Sequence, residues 1–407
     1  MSRNKDVKNH IEIFKYLFIC SFVLTCILSG CISAFEPDGI KELDGMLVVE
    51  GIILEEGTTI TLSRPNKITD QSNNFTDVSN AVIHIIDERN NIMAIARESA
   101  PGTYVANEKF TFIPEMKYAL DIQVDNKHYQ SAFVAPANTP EIDEVSWKLN
   151  EDKSIDIMVS THGSENDTLY CLWSYKEDWE IRSYYSTHLR YDPDSDSVIA
   201  QSFWGDNRYY CWASDSSRSL IMASTDKFEH ATIKDHIIHT LQPPDSRYSY
   251  LYSIEVKQYN LNREAVLYLE NLQKNRDEIG SLFSPQPSEI KGNIRCLSDP
   301  GETVIGYIDV SKKSTSRLFI EMADLYLSYL EDQQEYCDDR FEVFISQGPR
   351  YAYYHYQMGP IVGYGISDCV SSGGGDCIYS YKPLPCVDCT RRGGTKTKPD
   401  FWPNDHR

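Results

Sequence analysis

The stretch Tyr118-Ala-Leu-Asp-Ile-Gln-Val124 alternates apolar and polar residues along its whole length. A period of two is the pattern of a β-strand that buries one face and exposes the other. Its apolar face consists of Tyr118, Leu120, Ile122 and Val124. Asp125-Asn-Lys127 follows directly and has the composition of a hairpin turn. This part of the sequence therefore predicts an antiparallel sheet with a core on one side.

Short strand patterns also surround this stretch, throughout residues 43–139. About seven short strands in a segment of this length are typical of an immunoglobulin-like or transthyretin-like β-sandwich. Pro136-Ala-Asn-Thr-Pro140 is expected to be the linker that leaves this domain. The other predicted strands are Thr59–Leu62, Val82–Ile86, Ile92–Ala96 and one beginning at Gly102, with a turn at Asp87–Asn91.

Residues 140–358 are predicted to form a second, larger β-rich domain with one or two helices. A helix near 262–279 is expected to begin after Asn262, and its apolar stripe includes Ala265, Leu269 and Leu272. The predicted strands are Ser154–Ser160, Thr168–Tyr175, Ser219–Ala223, Tyr248–Tyr259 and a hairpin of Thr303–Val310 with Thr315–Ile320.

Residues 359–407 are rich in Cys and Gly. This composition predicts a loop-like C-terminal segment held by covalent links and not by a core of its own.

The N-terminus has the pattern of a lipoprotein signal peptide, predicted over residues 1–30. A basic region precedes the apolar stretch Tyr16–Leu28, and Leu28-Ser-Gly-Cys31 resembles a bacterial lipobox. We therefore expect Cys31 to be lipidated, for example with palmitate, and residues 31–42 to form a tether. The alternatives are an uncleaved anchor helix or ordinary secretion. Ile32, and not Asp, follows Cys31, which favours the outer membrane and leaves the leaflet open.

The charge balance excludes some classes of function. Acidic residues number 60 against 39 basic residues, which gives a net charge of −21. Such a surface repels phosphate backbones, so nucleic-acid binding is not expected. The chain also lacks an uninterrupted apolar run of about 18 residues, the length that a membrane-spanning helix requires.

The cysteines predict disulfide bonds, because an even number remains in an exported chain after removal of the signal peptide. Cys386-Val-Asp-Cys389 is open to three interpretations: structural disulfides, a zinc site completed by Cys369 and Cys377, or a redox pair. The exported location favours disulfides, and the pairing cannot be deduced from the sequence. The eight candidates are Cys171, Cys211, Cys296, Cys337, Cys369, Cys377, Cys386 and Cys389, of which Cys171 and Cys211 are expected to bridge the second β domain.

Three histidines, His230, His236 and His239, raise the possibility of a metal site. A strand is expected here, and a spacing of three would place His236 and His239 on opposite faces, which disfavours shared ligation. Asp192-Pro-Asp-Ser-Asp196 lacks the later ligands of a calcium loop and is interpreted as a solvated acidic turn. We therefore predict no metal and no cofactor.

Aromatic residues are concentrated in Arg350-Tyr-Ala-Tyr-Tyr-His-Tyr356 and in a group of tryptophans. They are interpreted either as an exposed platform for a ligand or partner, or as core, and core is the more common role in β domains. No catalytic motif is found, so an enzyme is not expected. The tryptophans are Trp173, Trp179, Trp204 and Trp212.

Several segments together resemble the domain-of-unknown-function 4249 family. They are Thr139–Val145, Leu172–Trp179, Pro287–Ile294 with Val304–Tyr307, and the ending Cys386–Trp402. The resemblance implies an exported lipoprotein of a Gram-negative bacterium, often encoded beside a TonB-dependent outer-membrane transporter. The family has no established activity, so no catalytic residue is carried over.

The sequence thus predicts a non-enzymatic, lipid-anchored accessory or binding protein of the outer membrane, with an unknown small-molecule or peptide ligand. Its expected partner is a TonB-dependent transporter. The alternative is an extracytoplasmic enzyme, either a thiol oxidoreductase using Cys386 and Cys389 or a hydrolase without a recognisable motif.

Overall fold

The protein is described from a computed structural model. The described residues are 46–66, 75–165, 167–187, 189–200, 208–243, 245–248, 250–278, 292–325, 337, 341–342, 348–356, 358–361 and 380–403. The expected signal peptide, tether and Cys31 lie outside these ranges, as do Cys369, Cys377 and Trp204.

The strands are numbered in chain order. The first group is β1 (Leu47–Ile53), β2 (Thr58–Pro65), β3 (Phe75–Asp77), β4 (Val82–Asp87), β5 (Ile92–Ala100), β6 (Thr103–Ala106), β7 (Tyr118–Val124) and β8 (Lys127–Ser131). The second is β9 (Ile142–Leu149), β10 (Ile155–His162), β11 (Tyr170–Arg182), β12 (Leu189–Asp192), β13 (Ser197–Ala200), β14 (Tyr210–Ser216), β15 (Ile221–Ser224), β16 (Thr232–Leu241) and β17 (Leu251–Asn260). The third is β18 (Ile294–Cys296), β19 (Val304–Ile305), β20 (Asp309–Val310), β21 (Lys313–Glu321), β22 (Phe341–Glu342), β23 (Met358–Ile361) and β24 (Ser380–Pro383).

Helices are few among the described residues. The α-helices are α1 (Arg263–Glu278), α2 (Gly348–Tyr356) and α3 (Leu384–Val387), and the 3-10 helices are Ser246–Tyr248, Met322–Leu325 and Cys389–Arg392. The predicted fold class, mainly β with a few helices, is confirmed. No helix within the described ranges has the length and apolar character to cross a membrane.

The first sheet has the strand order β18-β8-β7-β4-β5-β6-β2-β1-β19 and curls around one apolar core. The predicted strand of residues 118–124 is confirmed as β7, between β4 and β8. The hairpin turns are also confirmed: Asn90, Asp125 and Asn126 have positive φ angles of 61°, 51° and 60°. Asn and Asp tolerate this conformation better than most residues, which is why they occur in tight hairpins.

Strands from late in the chain complete this sheet. β18 pairs with β8, and both β19 and β20 run parallel to β1. The expected hairpin of Thr303–Val310 with Thr315–Ile320 is therefore wrong, because β20 pairs with β1 whereas β21 pairs with β17.

The second core lies where the sheet β16-β10-β9 packs against the sheet β14-β11-β17-β21. The predicted strand ending at Tyr259 is confirmed as β17, and Tyr252, Ile254 and Val256 are fully buried on one of its faces. Ser253, on the opposite face, is also buried. It accepts a hydrogen bond from the Arg317 guanidinium at 3.1 Å, which satisfies its hydroxyl group.

The described part of the C-terminal segment packs closely, contrary to the expectation of a coreless tail. Leu384, Val387 and Trp402 are buried, and the Trp402 ring lies 5.9 Å from that of Phe319 on β21. A backbone bridge between Trp212 and Thr395 joins the segment to β14. Apolar packing thus adds to the covalent links.

Candidate functional site

An apolar cavity of about 570 Å³ lies between α1 and the outer face of β1. Leu172 of β11 also lines it, so both β units contribute to its wall. Its volume falls within the range of small-molecule sites, roughly 300–1,000 Å³. We therefore regard it as the strongest candidate binding site among the described residues.

The floor of the cavity is β1, which is apolar on both faces. Leu47, Val49 and Ile53 point into the core of the first sheet and are fully buried. Alternation places Val48 and Ile52 on the opposite face, where they line the cavity. A strand that must bury both faces is expected to be a nearly continuous apolar run.

The roof is α1, and its predicted apolar stripe is confirmed. Ala265, Leu269 and Leu272 line the cavity, whereas Leu267 on the other side of the helix is 46% exposed. Asn262 precedes the helix as expected: its backbone carbonyl accepts hydrogen bonds from the N–H groups of Ala265 and Val266, and its side-chain amide donates to Asp309 at 2.7 Å. Asn262 therefore fixes α1 to β20.

Gly306 forms part of the wall because no larger residue fits there. Its φ angle is 143°, and a Cβ atom would lie 2.1 Å from the carbonyl oxygen of Val49. Asn293 holds the same segment by two hydrogen bonds with the backbone of Ile308, at 2.8 and 2.9 Å. Residues 292–294, the described part of one segment on which the family resemblance rests, thus contact residues 304–307 of another, and Ile305, Gly306 and Tyr307 line the cavity.

Polar groups enter the cavity at few points. Asp309 is buried, and Asn262 donates to both of its carboxylate oxygens. Burial raises the pKa of Asp309, and these hydrogen bonds oppose the rise. Glu50 is exposed at the rim, and Tyr268 and Tyr307 present aromatic rings whose centroids are 5.5 Å apart.

A second candidate is a buried polar network around Glu177 in the second β unit. Glu177 accepts hydrogen bonds from Arg247 at 2.7 Å and Tyr252 at 2.8 Å. His239 Nε2 lies 3.3 Å from the same carboxylate, and His239 Nδ1 lies 2.8 Å from the hydroxyl of Tyr175. Burial alone would raise the pKa of Glu177, but these partners lower it overall.

The network has the arrangement of a Tyr-His-Glu relay but not the electrostatics of a nucleophile. Burial, followed by the charge of Glu177, raises the pKa of Tyr175 to about 12. An activated nucleophile needs a lowered pKa or a base able to accept its proton. The network thus satisfies the buried carboxylate of Glu177, and Tyr175 has a raised pKa, not the lowered pKa of an activated nucleophile.

The prediction that His236 and His239 lie on opposite faces is wrong. A β-bulge shifts the register, so that His236 pairs with Val159 and His239 with Ile157, which share one face of β10. His236 stacks on Trp173 at 5.0 Å, and burial lowers its pKa. His230 is exposed. No group of three potential metal ligands occurs within the described ranges.

The structure gives the pairing of the cysteines, which could not be deduced from the sequence. Cys211 pairs with Cys389, and Cys337 pairs with Cys386. The expected bridge between Cys171 and Cys211 is wrong, since Cys171 is a buried free thiol. Cys296 is likewise buried and free. Cys386 and Cys389 therefore belong to separate disulfides and do not form a pair with each other.

The aromatic residues divide between core and surface. Trp173 and Trp212 are buried, and Trp179 packs against the second core. In α2, Ala352 is buried whereas Tyr354 is 53% exposed. Among the described side chains of residues 350–356, Arg350 and Tyr354 thus lie at the surface.

The acidic turn predicted at Asp192–Asp196 is confirmed as the connection between β12 and β13. Asp192 accepts a hydrogen bond from the hydroxyl of Ser195 at 2.6 Å, and Asp196 accepts one from Arg350 at 3.0 Å. Both carboxylates thus have protein partners.

Sequence reasoning missed the floor of the cavity. Leu47-Val-Val-Glu-Gly-Ile-Ile53 contains the signal, because an apolar strand interrupted by one Glu and one Gly indicates two buried faces. Asp309 carried no comparable signal, since its role depends on pairing with β1, more than 250 residues away in sequence.

The family described as "Domain of unknown function (DUF4249)" matches residues 32–317. No curated protein matches the chain.

Proposed function

We propose that this chain, which belongs to the DUF4249 family of unknown function, is an exported, non-enzymatic protein that binds an apolar small molecule in the cavity between α1 and β1. The observation that carries the proposal is the cavity itself, with its volume of about 570 Å³ and its mostly apolar lining. Preformed apolar cavities of this size are the usual form of small-molecule sites.

The way in which α1 is attached supports binding. The helix is fixed at its beginning by Asn262 and Asp309, and Ala265 and Val266 pack into a small apolar cluster with Leu261. Leu269 packs against this cluster and, together with Leu272, lines the cavity above β1. The start of the helix is thus held by protein contacts that do not require a ligand.

The proposed location follows from the N-terminal sequence. A signal peptide ending at Leu28-Ser-Gly-Cys31 supports lipidation at Cys31 and attachment to the outer membrane. The two disulfides agree with an oxidising compartment. A TonB-dependent transporter is the proposed partner, to which the protein would present its ligand.

The enzymatic alternative has less support. A dithiol oxidoreductase needs its two cysteines to exchange with one another, whereas Cys386 and Cys389 each have a distant partner. For the hydrolase, Tyr175 and His239 already serve a network that satisfies the buried carboxylate of Glu177.

Binding is tested with the fluorescence of N-phenyl-1-naphthylamine, an apolar dye, added to the mature protein. Leu269→Trp places a larger side chain in the cavity, and Leu267→Trp makes the same change on the exposed side of α1. We expect saturable binding that Leu269→Trp weakens at least about tenfold and Leu267→Trp leaves unchanged. Equal behaviour of the two variants, each with an unaltered thermal midpoint, would contradict the site.

The location is tested separately. Mass spectrometry of the mature protein should find an acylated Cys31 as its first residue. Affinity capture of the intact lipoprotein from outer membranes should recover a TonB-dependent transporter. An unmodified N-terminus elsewhere in the chain, or outer-membrane capture without a transporter, would contradict the location and the partnership respectively.

A further inference from the structure

We propose that the ligand of this cavity is a cationic amphiphile, with an apolar body against α1 and an amine or ammonium group at Glu50. The inference rests on the proposed function and adds the chemical class of the ligand.

The charge of the lining has one sign. Its acidic members are Glu50 and Asp309, and no Lys, Arg or His occurs among the described residues that line it. The rest of the lining is apolar apart from backbone and tyrosine hydroxyl groups. A carboxylate or phosphate entering this space would meet negative charge without a counter-charge, whereas a cation would be attracted.

Glu50 is the acidic group available to a ligand. Its carboxylate accepts one long hydrogen bond, from the hydroxyl of Thr61 at 3.3 Å. Within the described part of the chain, no basic side chain forms an ion pair with Glu50. The carboxylate thus retains most of its capacity to accept hydrogen bonds from a charged donor.

Asp309 has a different role because its oxygens are already used. Both accept hydrogen bonds from Asn262, one from the backbone N–H at 2.8 Å and one from the side-chain amide at 2.7 Å. Asp309 therefore holds α1 in place. It also adds to the negative character of the cavity without being the group that contacts the ligand.

Two tyrosines complete a site suited to a cation. Tyr268 and Tyr307 lie with ring centroids 5.5 Å apart and line the same cavity as Glu50. Burial, followed by the charge of Asp309, raises the pKa of Tyr307 to about 12, so its ring stays neutral. Neutral tyrosine rings attract alkylammonium groups through their negative faces.

The test compares three ligands with the same decyl chain and different ends: decylamine, decanol and decanoate. Each displaces N-phenyl-1-naphthylamine from the mature protein near pH 7, below the concentration at which it forms micelles. We expect decylamine to bind at least about tenfold more tightly than decanol, and decanoate more weakly than either. Glu50→Gln should reduce decylamine to the level of decanol.

The control variant is Glu88→Gln, which makes the same charge change at an exposed turn outside the cavity lining. It should preserve the order of the three ligands. Equal affinities, tightest binding of decanoate, or an unchanged preference for decylamine in Glu50→Gln would overturn the inference. In each of these cases the dye would still bind, so the proposed function would stand. Absence of dye binding would overturn both.

Discussion

Removal of the disulfide between Cys211 and Cys389 should cost more stability than any surface substitution in this protein. The two cysteines are 178 residues apart, so the bond restricts a very long loop in the unfolded chain. The chain-entropy relation for a loop of this length gives about 5 kcal/mol at 25 °C. The double variant Cys211→Ala with Cys389→Ala removes the bond without leaving a reactive thiol.

The matched comparison is the second disulfide, between Cys337 and Cys386, which are 49 residues apart. The same relation gives about 4 kcal/mol, so removing this bond should be costly but less so. Urea unfolding of the oxidised mature protein, followed by tryptophan fluorescence, measures both losses.

Removing either disulfide should not unfold the protein, because packing also holds the C-terminal segment in place. Trp402 is buried, and the guanidinium of Arg317 lies 3.6 Å from the ring centroid of Phe401. These contacts remain in both variants, so the fold should persist at neutral pH. Unchanged unfolding midpoints, or rapid alkylation of Cys211 in the native wild-type protein, would refute the assignment of this disulfide.

Three further predictions concern individual residues. The pKa of Glu177 is lowered in the folded state, so its contribution to stability is present above its unfolded pKa of about 4.3 and is lost as the pH falls through the folded pKa. Glu177→Gln should therefore reduce the loss of unfolding free energy at acid pH. An unchanged loss at acid pH would contradict this prediction. Gly306→Ala should lower the free energy of unfolding, measured by thermal unfolding, by on the order of 1–3 kcal/mol. The loss should exceed that of Gly57→Ala, where φ is 71° but no atom lies within 4 Å of the added Cβ. Equal losses would argue against the close approach of Gly306 to the carbonyl oxygen of Val49. Cys171 and Cys296 are buried, and burial raises the pKa of Cys171 to about 12, so iodoacetamide should label them only in denaturant; labelling of the native protein would disprove their burial.

Strands, turns and helix faces could be predicted where neighbouring residues carry the pattern. The alternation of residues 118–124 gave β7 with its correct bounds, and the polar turn that follows it placed Asp125 and Asn126 in the conformation they prefer. The apolar stripe of α1 predicted which side of the helix faces the protein. In both cases the side-chain period follows from the backbone geometry alone.

The features that failed depend on distant parts of the chain or on irregular backbone. β19 and β20 pair with β1 although they are predicted from sequence as a hairpin with the next strand. The bulge that brings His236 and His239 to one face adds a residue that a period of two cannot anticipate. The cavity also depends on distant parts of the chain, since residues of β1, α1 and the segment around Gly306 line it together.

The proposed function requires an apolar ligand to occupy the space between α1 and β1. The most direct measurement is anomalous diffraction from crystals of the mature protein with a bound brominated alkanol. The account predicts a bromine peak between Ile52 and Leu269, lost in Leu269→Trp and retained in Leu267→Trp. A cavity without a bromine peak at saturating ligand, or peaks only elsewhere on the protein, would contradict it.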